Sequence, residues 1–386
     1  TAFECVQSAY DAINGTIYVY IGMAFGLSLL SKLFKRDSSS SFGRAGAIGI
    51  DFGTSSIKIV QLRDLRGMPT LLTYGELQLG PYEGVDIGRM THLPAEKAAE
   101  ALSTILKEAG ATGTSVAFTI SHNSSFMSTM TIPTLDQAQV GAMVPVEARK
   151  YIPISLSKVA LDWIVLGPTE DQASTRVLVS AIYNEAMEWY EAILRAGTYT
   201  IAAREIEAFS VIRSAVSPKD ETVAIIDLGA SSTRLYIVTK GVVRKTHSVP
   251  LSGVAITTAL AGELDIDFEK AEEKKRVLGL EGDAQDLRVQ KVILSQVERG
   301  LRELHTVIKR FEESESVKIQ KIILSGGGAL LVGLPAYAHD MFSIPVMVAE
   351  PFAKVAYPAF LEKTLKEGGA PFAVALGAAL RSYRNT

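Results

Sequence analysis

Only one cysteine, Cys5, occurs in 386 residues. No internal disulfide can form and no thiolate metal cluster can be assembled, which fits a reducing, cytoplasmic setting. Charge of neither sign dominates: the formal net charge is −3 and no long basic run is present. There is no electrostatic footprint for nucleic acid, and none is expected as a partner. Five histidines (His92, His122, His247, His305, His339) are scattered without metal-ligand spacing, and no Ser-His-Asp set can be assembled from them. A Lys-bearing Walker A loop is absent, which argues against a P-loop site. The two tryptophans, Trp163 and Trp189, sit in apolar surroundings and read as core. What remains is a globular balance, with 47% hydrophobic and 21% charged residues. The length suits two domains with ordinary cores.

The first stretch without charge runs from Ala12 to Ser31 and is followed by the basic "KLFKR", Lys32 to Arg36. It is long enough to span a bilayer, with the basic flank keeping the remainder cytoplasmic, although it holds three glycines and an asparagine. Starting from Met23, Phe25, Leu29 and Leu33, with Leu30 and Phe34 beside them, form one helical stripe next to cations, a pattern suited to lying in a membrane surface. A span, a surface contact through residues 12–36, and an unstructured or misassigned leader all stay open. "DSSSSFGRAG" then reads as a polar linker.

The strongest signal is a repeated phrase. "AIGIDFGTSSIKIV" at Ala47 to Val60 returns as "AIIDLGASSTRLYIV" at Ala224 to Val238. Each is an apolar strand ending in Asp-x-Gly, then small hydroxyl residues, a basic residue and a second apolar run. The surroundings match too. After the first come strand "TLLTYGELQL", a helix and strand "SVAFTI"; after the second come strand "VVRKTHSVPL", a helix over Val254 to Leu264 and a strand at Ile319 to Leu324. The first helix follows Pro94, with Ala98, Ala101, Leu102, Ile105, Leu106 and Ala109 at 3.6-residue spacing and a stop at Gly110. Two β-β-β-α-β units imply duplicated α/β halves of the ribonuclease-H-like kind, facing each other. Between them lie strand "SFMSTMTIP", helix "LDQAQVGAMVPVEARKYI" and strands "VALDWIVLG" and "TRVLVSAIY", enough for a small α+β module. Val297, Leu301, Leu304, Ile308 and Phe311 stripe a long helix over Leu287 to Phe311, expected to pack on its own domain.

An Asp at a strand end before a Gly turn places a carboxylate beside outward-facing backbone N–H groups. Gly53 and Gly229 permit close approach of a ligand; Ser55, Ser56, Ser231 and Ser232 add hydroxyl donors. Lys58 and Arg234 each follow their Asp by seven positions, where a returning strand brings the charge back to the same oxygens. Each turn is thus a phosphate cradle, and Asp51 and Asp227 would hold Mg²⁺ through its waters. A third Gly-rich element, "ILSGGGALLVGLP" at Ile323 to Pro335, is a strand-to-helix turn that lets backbone pass beside a nucleotide.

These motifs resemble those of the actin-like ATPase superfamily: phosphate loops "DFGTSSIK" (with Thr54) and "DLGASSTR" (with Ala230), adenosine loop "LSGGGALLVGLP" (Gly326, Gly327, Gly328, Ala329) and a closing helix "PFAVALGAALRS". By that resemblance "KAEEKKRVLG" supplies ribose and adenine contacts through Glu272 and Lys275, and the helix "REIEAFSVIRS" after the first half offers Glu205 or Glu207 to orient an attacking water. The implied fold is two ribonuclease-H-like halves around a nucleotide cleft, with an inserted α+β subdomain of the FtsA/PilM type. The implied divisions are 1–45 leader and linker, 46–120 and 186–221 first half, 121–185 insert, 222–370 second half and 371–386 closing helix. "VEARKYIPISLSKVALDW", Val146 to Trp163, resembles the PilM family of type IV pilus assembly. That resemblance implies an ATP- and Mg²⁺-binding cytoplasmic scaffold, peripheral at the inner membrane, with weak or absent turnover. It also implies a grip on the N-terminal peptide of a PilN-like membrane protein and a link to pilus motor ATPases, or a place in a related type II secretion system. The alternatives are an FtsA-like division filament, a small-molecule kinase and a nuclease.

Overall fold

The computed structural model describes residues 20–23, 45–133, 137–152, 154–169, 173–281 and 286–383. Of the leader this includes only Tyr20–Met23, which is a short strand, β1, and not part of a helix. The remaining leader expectations, including the stripe from Phe25 to Phe34, lie outside the described residues. Among the described residues no helix is long and apolar enough to cross a membrane.

The first half continues with β2 (Ala45–Phe52), β3 (Ser56–Leu65), β4 (Met68–Gln78), α1 (Gly80–Glu83), α2 (Ala95–Glu108) and β5 (Ser115–Ile120). Hairpin β3–β4 closes through Arg66 and Gly67 at φ 58° and 82°, the paired left-handed conformation that matches strand twist. Asp64 Oδ1 accepts from the Gly67 N–H at 2.6 Å and fixes that turn. Pro94 sits just before α2, whose stripe from Ala98 to Leu106 is buried on the sheet.

The insert contributes β6 (Ser125–Pro133), α3 (Gln137–Ala148), β7 (Val159–Pro168) and β8 (Ser174–Tyr183), an antiparallel sheet in the order β6-β8-β7 with its own core around Met130, Ile132, Val144, Val177 and Val179. The chain returns through α4 (Asn184–Ala196), β9 (Thr200–Ile206) and α5 (Glu207–Ala215). The segment expected as one connecting helix is therefore split. Glu205 and Ile206 pair with Thr119 and Ile120 of β5, and Ile206 stays extended before the helix starts at Glu207.

The second half holds β10 (Thr222–Leu228), β11 (Thr233–Thr239), β12 (Val242–Val249), α6 (Gly253–Leu264), α7 (Phe268–Leu278), α8 (Leu287–Glu315), β13 (Ile322–Ser325), α9 (Leu334–Phe342), β14 (Val346–Val348), α10 (Glu362–Gly368) and α11 (Ala373–Arg381). Lys240 and Gly241, at φ 50° and 79°, close β11–β12 as Arg66 and Gly67 close β3–β4. The α8 stripe from Val297 to Phe311 is buried in the second core, so that helix packs on its own domain.

Both large sheets have one plan. Their orders are β1-β4-β3-β2-β5-β9 and β12-β11-β10-β13-β14, so the strand carrying the Asp is central in each. It runs antiparallel to its hairpin partner and parallel to the strand after the helix. Helices α5 and α11 cross closely between the halves: a Cβ on Gly377 would lie 1.9 Å from the Ser210 carbonyl, and one on Gly49 would lie 2.0 Å from that of Ala375. Only glycine fits at either point.

Candidate functional site

The two Asp-Gly turns are built alike. The Gly53 N–H donates to the Ser56 carbonyl at 3.0 Å, and the Gly229 N–H to the Ser232 carbonyl at 3.0 Å. A Cβ on Gly53 would sit 2.8 Å from the Ser56 oxygen, and one on Gly229 would sit 3.0 Å from that of Ser232. The turn itself therefore excludes a side chain at Gly53 and crowds one at Gly229, independently of any ligand.

Register explains the seven-residue spacing. Asp51 lies directly opposite Lys58, which lies opposite Glu76; Asp227 lies directly opposite Arg234. Opposed residues share a face of the sheet. Lys58 Nζ is 3.2 Å from Glu76 Oε1 and donates to Ser56 Oγ at 2.6 Å. Arg234 Nη1 is 2.6 Å from Glu207 Oε1, and Nη2 donates to Asn123 Oδ1 at 3.0 Å. Neither Arg234 Nε nor Glu207 Oε1 gains an aligned hydrogen bond among the described residues, and the buried Ser232 hydroxyl also lacks a partner. The Thr54 carbonyl accepts from the Thr91 N–H and the Ser55 carbonyl from that of Leu79. Ser231 Oγ accepts from Asn123, while the Gly229 and Ala230 carbonyls take the N–H groups of Gly253 and Val254 at the start of α6.

Burial pushes the Asp51 carboxyl up to about 7; Lys58 opposes this, while Glu207 and Asp227 add to it. Burial pushes Asp227 up to about 6, with Glu207 reinforcing and Arg234 opposing. Burial works against the Lys58 charge, yet Glu76 and Asp51 outweigh it and hold its pKa above the ordinary value. A concentration of acid charge therefore stands between the two hairpins.

The glycine turn packs directly on the second hairpin. Gly326 has φ 79°, and a Cβ there would lie 2.5 Å from the Leu228 carbonyl and 2.9 Å from Asp227 Oδ1. A Cβ on Gly328 would meet Leu228 Cβ at 2.7 Å, one on Gly327 would meet nothing within 4 Å, and Ala329 is buried beneath.

Glu272 and Lys275 are brought together. Glu272 Oε2 accepts from Thr257 Oγ1 and Lys275 Nζ, both at 2.5 Å, and Oε1 accepts from Arg276 at 2.7 Å. Burial alone would raise the Glu272 pKa, but Lys275 and these donors hold it below the usual range; burial lowers that of Lys275. Lys275 also donates to the Gly253 carbonyl at 3.2 Å, beside the second hairpin. From the first half, Arg89 lies 4.1 Å over the Phe268 ring, and a Cβ on Gly88 would come within 3.3 Å of Glu272.

The structure separates the two candidate carboxylates. Glu205 is turned toward α11: both its oxygens engage Arg213, Arg381 adds a contact at 2.6 Å, and Ser210 donates to it. Although burial alone would raise its pKa, these partners hold it low. Glu207 faces the two aspartates. Asn123 was invisible in the sequence, being a loop residue that reaches across 108 positions to Ser231. Glu76 does carry a signal in the sequence, since the β3–β4 hairpin register sets it opposite Lys58. Among the described residues no group of three or more His, Cys, Asp or Glu is arranged to hold a metal.

Residues 49–383 match the family described as Type IV pilus assembly protein PilM. A solved PilM-PilN type IV pilus biogenesis complex is similar at 26% identity and TM-score 0.75, covering 88% of this chain and 99% of that one. MreB5 of Spiroplasma citri, solved with AMPPNP, shares the fold at 14% identity and TM-score 0.50 over 87% of this chain and 96% of its own. FtsA of Pseudomonas aeruginosa is 26% identical over 38% of this chain and 39% of its own length. The chain spans less than two fifths of the length of the curated relatives it matches. With nearly its whole described length inside one family match and both halves built on one actin-like plan, the chain belongs to the PilM family of type IV pilus assembly proteins.

Proposed function

We propose that the chain is an Mg-ATP-binding scaffold of the pilus inner-membrane assembly complex, cytoplasmic and peripheral to the membrane, that holds the N-terminal cytoplasmic peptide of a PilN-like membrane protein. The observation that carries the nucleotide part is the matched pair of registers, Asp51 against Lys58 and Asp227 against Arg234, which sets two identical Asp-Gly turns around one concentration of buried charge. Three features fit a polyphosphate with its cation: two carboxyls held near neutrality, a Ser232 hydroxyl and an Arg234 Nε without partners, and a glycine turn open at Gly327.

Bound Mg-ATP supplies phosphate charge, a divalent cation and an electrophilic γ-phosphorus. Asp51 and Asp227 would hold the cation through its waters. Lys58, Arg234 and the hydroxyls of Thr54, Ser55, Ser231 and Ser232 would donate to phosphate oxygens, with the buried Ser56 hydroxyl bracing Lys58, while Gly326 to Ala329, Glu272 and Lys275 would take the nucleoside side. Of the two candidates we assign the orienting of a water to Glu207, because both oxygens of Glu205 are engaged by Arg213. Glu207 is engaged by Arg234 and is not free to swing onto a water, so the nucleotide acts chiefly as a clamp between the halves.

Similarity to a PilM-PilN complex supports the peptide partner. Affinity capture from a type IV pilus host, with Mg-ATP present, is expected to recover a membrane protein with a short cytoplasmic N-terminal segment, displaced by a synthetic peptide of that segment. Recovery of no such protein would contradict the scaffold reading.

A further inference from the structure

Asn123 is exposed and sits in the short turn His122–Ser124, where the chain leaves β5 and enters the insert. Three parts of the molecule meet there. Its Nδ2 donates to Ser231 Oγ at 3.2 Å and its Oδ1 accepts from Arg234 Nη2 at 3.0 Å, both on the second hairpin. The turn is well anchored: Ser125 Oγ donates to the Ser121 carbonyl at 3.1 Å, and the Ser121 N–H donates to Tyr190 Oη on α4 at 3.3 Å. His122 alongside is kept neutral, since burial and then Arg234 push its pKa down to about 4.

Beyond the turn the insert is seated on the second half, although it grows out of the first. Thr246 Oγ1 of β12 donates to the Met127 carbonyl of β6 at 3.2 Å, and Thr129 Oγ1 of β6 donates to the Arg244 carbonyl of β12 at 3.4 Å. Glu315, at the end of α8, takes Arg176 of β8 at 3.2 Å and Arg244 of β12 at 2.8 Å. A shift of the second hairpin is thus felt at Asn123, directly at the root of β6.

We propose that Asn123 is a positioning residue that holds the Ser231 hydroxyl and the Arg234 guanidinium in place and ties the state of the second hairpin to the seat of the insert on β12. Resting on the nucleotide reading above, it follows that phosphate oxygens compete with Asn123 for Ser231 and Arg234, so that filling the hairpin loosens the root of β6.

Hydrogen exchange of the full chain, with and without Mg-ATP, tests this alongside calorimetric titration. Asn123 is exposed, so Asn123→Ala leaves the cores untouched. Without ligand, it is expected to speed exchange about two- to tenfold both in β6 and in residues 229–232, the loss of a typical hydrogen bond. Asn123→Asp keeps the acceptor for Arg234 but has no donor for Ser231, so it is expected to speed exchange in residues 229–232 alone. Mg-ATP is expected to speed exchange in β6 of the wild type and to leave it unchanged in Asn123→Ala, which still binds. Wild-type exchange in both segments of ligand-free Asn123→Ala, or the wild-type response of β6 to Mg-ATP in that variant, would overturn the proposal. If the ligand-free effects appear but the wild type takes up no Mg-ATP, the positioning role stands and the nucleotide reading alone falls.

Discussion

Glu207→Ala is expected to destabilise the ligand-free protein by about 3–5 kcal/mol, the range for breaking one side of a buried ion pair. Arg234 and Glu207 side chains are only 6% and 9% exposed and lie 2.6 Å apart. Removing the acid leaves a guanidinium that cannot neutralise itself, with the Asn123 carbonyl oxygen as its hydrogen-bond acceptor. One effect works the other way: Glu207 is among the groups that raise the Asp227 pKa, so without it Asp227 ionises more readily opposite Arg234 and recovers part of the loss. The result should therefore fall toward the lower end of the range. Urea unfolding of Glu207→Ala, Glu207→Gln and the double variant Glu207→Ala/Arg234→Met measures it. The amide is expected to cost less than the alanine because it still accepts, and the double variant is expected to recover most of the loss because no unpaired charge remains. An alanine variant as stable as the wild type would mean that water reaches this pair.

The second large effect is a pH dependence whose sign reverses with ligand. Burial pushes the carboxyls of Asp51 and Asp227 up from the ordinary aspartate range to about 7 and about 6. The folded form therefore binds protons more readily than the unfolded chain, so the associated stability is fully present below about pH 4 and is lost as pH rises through 6 and 7. For Asp51, pushed up to about 7, this contribution has a ceiling on the order of 4 kcal/mol. The ligand-free protein is expected to melt lower at about pH 8 than at about pH 5, and Asp51→Asn to flatten that slope and to be the more stable form at the alkaline end. A divalent cation favours the ionised carboxylates, so Mg-ATP affinity is expected to rise over the same window. Thermal melts at both pH values, with and without Mg-ATP, check the two slopes together; parallel slopes would sink this account of the aspartates.

Much of this architecture was legible because it is local and repeated. The hairpin turns at Arg66-Gly67 and Lys240-Gly241 fix the register, and register places a basic residue opposite each aspartate seven positions on. Helices α2 and α8 were visible as buried stripes of correct period. Illegible features depend on distant partners. Glu205 and Glu207 flank one strand-to-helix junction and face opposite ways, but what decides their roles is Arg381, 176 positions from Glu205, and the aspartates of two separate strands. Asn123 carries no local mark, since its partners lie 108 and 111 positions away. Tyr20–Met23 lie in the uncharged stretch whose role the sequence left open, yet those residues pair antiparallel with β4 at the sheet edge, completing a backbone ladder that no local pattern announces.

Calorimetric titration of the folded chain with Mg-ATP, for the wild type and for Asp51→Ala/Asp227→Ala, shows whether the paired hairpins hold a nucleotide. Saturable binding to the wild type, abolished in the double variant while its fold is retained, is the predicted result. Absence of heat from the wild type, or equal affinity in both proteins, would contradict the claim that the paired hairpins hold a nucleotide.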